Sequence, residues 1–337
     1  VTPLPSSIAK SWQLVALSRQ VKAKPLARTL ANTPIVLFRA EGRVAAFQDR
    51  CPHRNYPLSL GRVEHGALQC AYHGWRFAAD GRCLEAPGCD LEPGQNARFS
   101  AFPVHVIERH GGVFVRLSDE GPEDLIDLGE WGADDHDHFW WDQGVWRGRA
   151  LDAVENVLDP FHTNYIHDGF IRRRDRRMPV DLITRVFEDG IEQVIEQKRP
   201  DHGWMSRVLE PDRERSRTRL YAPTTVQARW EGREKLTLCV SAFFTPETDT
   251  TFRPFACFTT PKGRGPGWLK EAAIRLFLDP VVAQDRRALA RQLDAIEAFG
   301  GPRFQQGPGD LLGGRVARLF NGERLDPGEE GPFQRTL

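Results

Sequence analysis

No apolar run in this sequence approaches the ~18 residues that a membrane-crossing helix requires, so no membrane span is expected. Nor is there a net charge, because 46 basic residues balance 46 acidic ones. Nothing global therefore favours nucleic acid or an anionic membrane surface as a partner. Cysteine is scarce as well. Six in 337 residues cannot build a disulfide scaffold, and the closest spacings fall beside histidines, which points to metal binding in a reducing compartment. The opening stretch VTPLPSSIAKSWQLVALSRQ shows no basic segment followed by an apolar core, so no secretory leader is expected and a cytoplasmic setting is read. Internal repeats, low-complexity segments and a dinucleotide-binding glycine fingerprint are all missing. What remains is an ordinary globular composition, 40% hydrophobic and 27% charged, at a length that suggests about two domains.

The chain reads as α+β in two parts. Residues 1–118 carry short strand-like runs broken by turns, as expected of a small all-β domain. Hairpins are predicted at Glu41-Gly42, at Asp80-Gly81 and near Gly111-Gly112. Residues 119–148 are acidic and aromatic and read as a connection, with Phe139-Trp140-Trp141 expected to pack between domains. Residues 149–302 read as a second, α+β domain. It begins with the helical stretch LDAVENVLDPFHTNYIHDG, interrupted by Pro160. Long alternating runs then predict an antiparallel sheet packed on helices, and a helix ends at Gly300-Gly301. The Gly- and Pro-rich residues 303–337 read as a surface tail.

Two groups of residues carry chemistry. In CPHRNYPLSLGRVEHGALQCAYHGWR, Cys51 and His53 form one tight pair and Cys70 and His73 another, with sixteen residues between His53 and Cys70. Zinc usually groups cysteine with cysteine and histidine with histidine. Two mixed pairs also suit a 2Fe–2S cluster in which one iron takes two thiolates and the other two imidazoles. Gly61, Gly66 and Gly74 allow tight loops there. His65, Cys83 and Cys89 lie outside the pairs and read as an ordinary loop residue and packed thiols.

In the second group, Asn156, Asp159, His162 and His167 interrupt an apolar helical pattern. Histidines five apart lie about 140° around an ideal helix, so they converge only if it is distorted, for which Pro160 supplies a cause. Two histidines and a remote carboxylate make the facial triad of non-haem ferrous oxygenases. In the C-terminal helix, Val282, Asp285, Leu289, Leu293 and Ile296 recur at spacings of three and four, which puts Asp285 on the apolar face, together with Gln292. Asp294 falls opposite, and Asp279 is the alternative third ligand. The run IRRRDRR, residues 171–177, reads as a solvated loop.

CPHR with CAYHGW resembles the Rieske motif, and followed by ENVLDPFHTNYIH and VAQDRRALARQ it resembles the terminal oxygenase component of Rieske non-haem iron oxygenases. The resemblance is nearest to the vanillate and dicamba O-demethylase group. It implies an N-terminal Rieske domain whose cluster is held by Cys51, His53, Cys70 and His73. It also implies a catalytic domain holding mononuclear Fe(II) through His162, His167 and Asp285. Asp159 is then the bridge that bonds His162 and faces His73 of a neighbouring chain in a homotrimer, and Asn156 supports the iron site. Electrons come from NAD(P)H through a separate reductase or ferredoxin, and O2 is used to hydroxylate or oxidatively demethylate a small organic substrate. The rival readings are a cis-dihydroxylating dioxygenase, against which the Asn156-to-Asp159 spacing speaks, and an electron-transfer Rieske protein without oxygenase chemistry.

Overall fold

The structure, a computed structural model, describes residues 3–88, 98–175, 177–196, 215–231, 236–263, 265–307, 309–312 and 314–337. Cys89 and Arg176 lie outside the described residues. The chain divides into two compact units. One comprises Ile8–Leu125 with Thr245–Thr248, and the other Ile126–Phe244 and Asp249–Leu337 with the first seven residues.

The smaller unit is built from three antiparallel sheets of three, three and four strands. Thr33–Ala40 pairs with Arg43–Gln48 through Glu41-Gly42, and both turn residues have positive φ, 52° and 82°. That is the geometry whose twist matches the flanking strands. Ala67–Gln69 pairs with Arg76–Phe77, which in turn pairs with Cys83–Glu85 across the expected Asp80-Gly81 turn. The third hairpin turns at His110-Gly111, one residue earlier than expected. Phe38, Phe47, Leu58, Leu68 and Phe77 fill the core, and Cys51, Cys70 and Cys83 are part of it. Cys83 is thus a packed thiol, its pKa raised by burial.

The larger unit holds a nine-stranded antiparallel sheet. Its spatial order is His136–Asp142, Thr251–Pro261, Leu236–Pro246, Thr225–Glu231, Arg215–Tyr221, Gly190–Glu196, Pro179–Phe187 and Gly328–Thr336, with Trp146–Arg147 beside Thr251–Pro261. Alternation drives it: Pro179–Phe187 buries every second residue, Val180, Leu182, Thr184 and Val186, the pattern of a strand with one face on a core. The 32-residue helix Gly267–Ala298 lies on one face. Its Ile274 and Leu278 pack with Leu238, Val240, Ala256 and Phe258.

Two stretches carry more structure than their composition suggested. Residues 136–142 are an edge strand rather than a connection. Trp140 stacks on Phe243 and meets Trp131, and Trp141 lies against Phe258, all contacts inside the larger unit. Residues 303–337 include the helix Arg315–Phe320 and the other edge strand, Gly328–Thr336. Backbone pairing with Pro179–Phe187 overrides a mostly exposed sequence containing two glycines and a proline, residues tolerated at sheet edges.

Candidate metal centres

The Cys51 and Cys70 loops fold alike. Cys51 N–H donates to Tyr56 O at 2.9 Å and Cys70 N–H to Trp75 O at 2.8 Å; the Cys51 carbonyl accepts from Asn55 N–H and the Cys70 carbonyl from Gly74 N–H. Asn55 and Gly74, at the same place in each turn, both have positive φ, which asparagine and glycine adopt most readily. Gly61 is required for a different reason: a Cβ there would stand 2.0 Å from the Gln69 carbonyl oxygen.

Both thiols are buried, each 2% exposed, whereas His73 is exposed. The His53 and His73 rings meet at 4.6 Å between centroids. His53 stacks parallel to Trp75 at 4.8 Å, and Tyr72 covers His73 at 3.8 Å. Buried His53 Nδ1 has no hydrogen-bond partner, as expected of a lone pair meant for a metal. Burial, with Cys70 adding to it, pushes the Cys51 thiol up to about 11, so thiolate forms there only with a compensating cation. Among the described residues these four side chains are not a group whose ligand atoms all lie within 4.8 Å of one another. A single tetrahedral zinc would need that convergence; a two-iron cluster spreads its ligands over two metals. The donor set fits the cluster.

The second centre starts where the helix Ala150–Leu158 stops. Asp159 closes it, donating its N–H to Glu155 O at 2.9 Å. Pro160 has no N–H to continue, and the chain tightens into the 3-10 turn Phe161–Asn164. The Asp159 carboxylate accepts from the Phe161 and His162 N–H groups at 2.8 and 3.2 Å. This break brings the two rings together at 5.1 Å between centroids, the distortion that the five-residue spacing required. His162, His167 and Asp285 converge with all ligand atoms within 4.8 Å of one another. His167 Nε2 is 3.2 Å and His162 Nε2 3.9 Å from Asp285 Oδ1.

The hydrogen bonds fix both tautomers. His162 Nδ1 lies 2.6 Å from the Asp159 carbonyl oxygen and His167 Nδ1 2.9 Å from Gln284 Oε1. Both oxygens only accept, so each Nδ1 carries a proton, and Nε2, on the side of Asp285, is the nitrogen each ring has left for a metal. Burial lowers the His162 pKa. Burial also works on His167, but contact with Asp285 and Gln284 outweighs it and raises the pKa. Asn156 Nδ2 donates to Asp285 Oδ1 at 3.1 Å. Two imidazoles and one carboxylate on one side, with no fourth protein ligand among the described residues, fit a ferrous ion with open positions.

Three expectations need adjusting. The Asp159 backbone carbonyl, not its carboxylate, holds His162; the carboxylate stands 3.8 Å from Nδ1 and caps the turn. Gln292 is exposed, and Gln284 is the glutamine at the site. Only its position beside Asp285 could have flagged it. Asp279 is exposed and outside the cluster. Asp294 is at the surface, as expected, paired with Arg147. In the basic run, Arg173 pairs with Asp175 and Arg174 with Asp168, in keeping with a solvated loop.

Comparison with known proteins follows the same division. Residues 11–96 match the Rieske 2Fe-2S domain, and residues 146–310 match the vanillate O-demethylase oxygenase C-terminal domain. A vanillate O-demethylase oxygenase subunit from a Pseudomonas species is 34% identical over 192 residues, 54% of this chain and 51% of the relative. The oxygenase component of dicamba O-demethylase from Stenotrophomonas maltophilia is 31% identical over 166 residues, 48% of each. The aligned stretch thus spans about half the length of these relatives. Dicamba monooxygenase bound to dicamba superposes with a TM-score of 0.80 at 24% identity, over 94% of this chain and 97% of the other. NdmA of Pseudomonas putida with caffeine gives 0.80 at 21%, over 97% and 98%; both share the fold. With a Rieske domain followed by a vanillate O-demethylase-type oxygenase domain, the chain belongs to the Rieske non-haem iron oxygenases.

Proposed function

We propose that this chain is the terminal oxygenase of a multicomponent system. It hydroxylates a small aromatic or hydrophobic molecule, or removes a methyl group from its oxygen or nitrogen. The observation that carries this is the convergence of His162 Nε2, His167 Nε2 and Asp285, both imidazoles pinned from behind, in a chain that also carries a Rieske domain. Cys51, His53, Cys70 and His73 hold the 2Fe–2S cluster; His162, His167 and Asp285 hold ferrous ion. When bound, the ion supplies a site for dioxygen reduction and the cluster supplies single electrons. The balance is O2, NAD(P)H and a proton consumed per C–H bond hydroxylated, with water and NAD(P)+ released. If the hydroxylated carbon is a methyl on oxygen or nitrogen, the product loses formaldehyde.

The protein's own groups have narrower tasks. The Asp159 carbonyl and Gln284 hold the imidazole protons at Nδ1. Asn156 orients Asp285. Asp159 and His73 are surface-accessible, the Asp159 side chain at 42%, which supports an electron bridge between neighbouring copies in a homotrimer. A separate reductase or ferredoxin feeds the cluster, and free cysteines suit a cytoplasmic setting. The described residues contain no helix long and apolar enough to cross a membrane.

Metal analysis on anaerobically purified protein is the test, with oxygen uptake alongside, driven by a surrogate reductase over aromatic ethers, amines and acids. About three irons and two sulfides per chain, with substrate-dependent uptake, are expected. Two irons with two sulfides and no uptake favour electron transfer alone; zinc without sulfide removes both centres. A cis-diol product replaces the monooxygenase reading with the dihydroxylating one.

A further inference from the structure

On the larger unit's sheet is a cavity of about 190 Å³ lined by Leu128, Gly129, Glu192, Arg217, Arg219, Tyr221, Gln227 and Arg229. It lies on the face turned away from the iron helix. Arg219 stands opposite both Glu192 and Gln227 in register, and Arg229 opposite Arg217 and Cys239. The residues facing the Gly267–Ala298 helix, Leu238 and Val240, have the other parity on their strand, and successive side chains point to opposite faces.

The three arginines differ. Arg217 is paired with Glu231, and Arg229 is held by both Glu130 oxygens, Oε1 at 2.6 Å. Arg219 has no ion pair among the described residues. Its guanidinium carbon lies 3.9 Å from the Phe187 ring centroid and 4.5 Å from that of Tyr221, and its buried Nε has no hydrogen-bond partner. Glu192, the acid in the cavity wall, is 8% exposed and is engaged by Arg185 at 3.3 Å. A buried guanidinium N–H without an acceptor is costly, and a guanidinium packed against rings still presents its in-plane N–H groups to a carboxylate.

We propose that this cavity is a binding site for a small monocarboxylate, with Arg219 as its anchor. One unpaired guanidinium compensates one negative charge, and Glu192 in the same wall opposes a dianion. The cavity has room for a ligand such as benzoate, which Leu128, Gly129 and the Tyr221 ring can border. The site is separate from the iron and does not depend on the oxygenase reading.

Isothermal titration of the holoenzyme with benzoate, benzamide and phosphate tests the proposal, together with hydrogen exchange that locates binding. Expected are benzoate binding that outranks both other probes and slowed exchange in Arg215–Tyr221 and Thr225–Glu231. Arg219→Gln should weaken that binding by about tenfold or more, the loss of a charge-assisted pair, and Arg219→Lys should restore it only in part. Arg173→Gln should leave it unchanged. Benzoate protection confined to the iron helix, equal binding of benzamide, or tighter phosphate binding overturns it. The exchange pattern decides on the wild type even if the Arg219 variants do not fold.

Discussion

The two proposed metal centres are assembled in opposite ways. Around Cys51 and Cys70 each ligand pair belongs to one short loop, and the two loops repeat the same backbone hydrogen bonds. At the proposed iron site two candidate ligands come from a broken helix and the third from a helix more than a hundred residues later, with Gln284 and Asn156 tying the pieces together. A centre made of loops keeps its geometry if each loop folds. A centre made of distant elements keeps it only if the sheet beneath sets the spacing.

The sharpest way to separate the two is to remove one ligand from each. Asp285→Ala should lose the mononuclear iron and all oxygen uptake while the visible spectrum of the cluster persists. Cys51→Ser should do the reverse to the metals, bleaching the cluster while ferrous ion still binds. If either change empties both centres, they do not fold independently. Gln284→Leu probes the long-range assembly more gently, because it frees His167 Nδ1 without removing a ligand. Ferrous affinity should fall about 10–100-fold, measured by titration with cluster content as control. Asp159→Asn keeps the turn and the carbonyl that holds His162, so both centres should stay loaded while electron transfer between them slows. Single-turnover reduction at the wild-type rate would remove the bridge role.

A separate effect, on stability, concerns the helix that carries Asn156. Burial, with Asp152 and Asp310 adding to it and Arg149 opposing, pushes the Glu155 carboxyl up from 4.5 to about 7. Between these values the folded protein keeps a proton that the unfolded chain has released, so stability falls as pH rises from 4.5 through 7. The loss is at most about 3 kcal/mol. Glu155→Gln should flatten this part of the profile in thermal melts, and an unchanged slope would place the titration elsewhere.

The Rieske domain was readable from the sequence because four candidate ligands and their glycines sit within 24 residues, Cys51–Gly74. The strands of the large sheet were readable from alternation. Asp285 was readable because an acid interrupted an apolar helical stripe. Gln284 was not, since a polar residue beside a ligand carries no periodic signal, and Gln292, which shared the stripe by angle, is exposed beside the buried Leu293. His136–Asp142 and Gly328–Thr336 were missed because edge strands need only backbone pairing and so leave composition unconstrained. The role of the Asp159 carbonyl could not have been read at all: every residue has one, and only the turn after Pro160 aims it.

Protein hydrogen bonds hold both imidazoles in register whether or not a metal is bound, so the three donors by themselves do not single out iron. Two nitrogens and a carboxylate suit zinc as well as ferrous ion, and along the divalent series zinc binds such a set more tightly. The supply of metal in the medium where the chain folds then helps to decide which ion it carries. A preparation grown with excess zinc should keep its brown colour and its fold, and consume no oxygen.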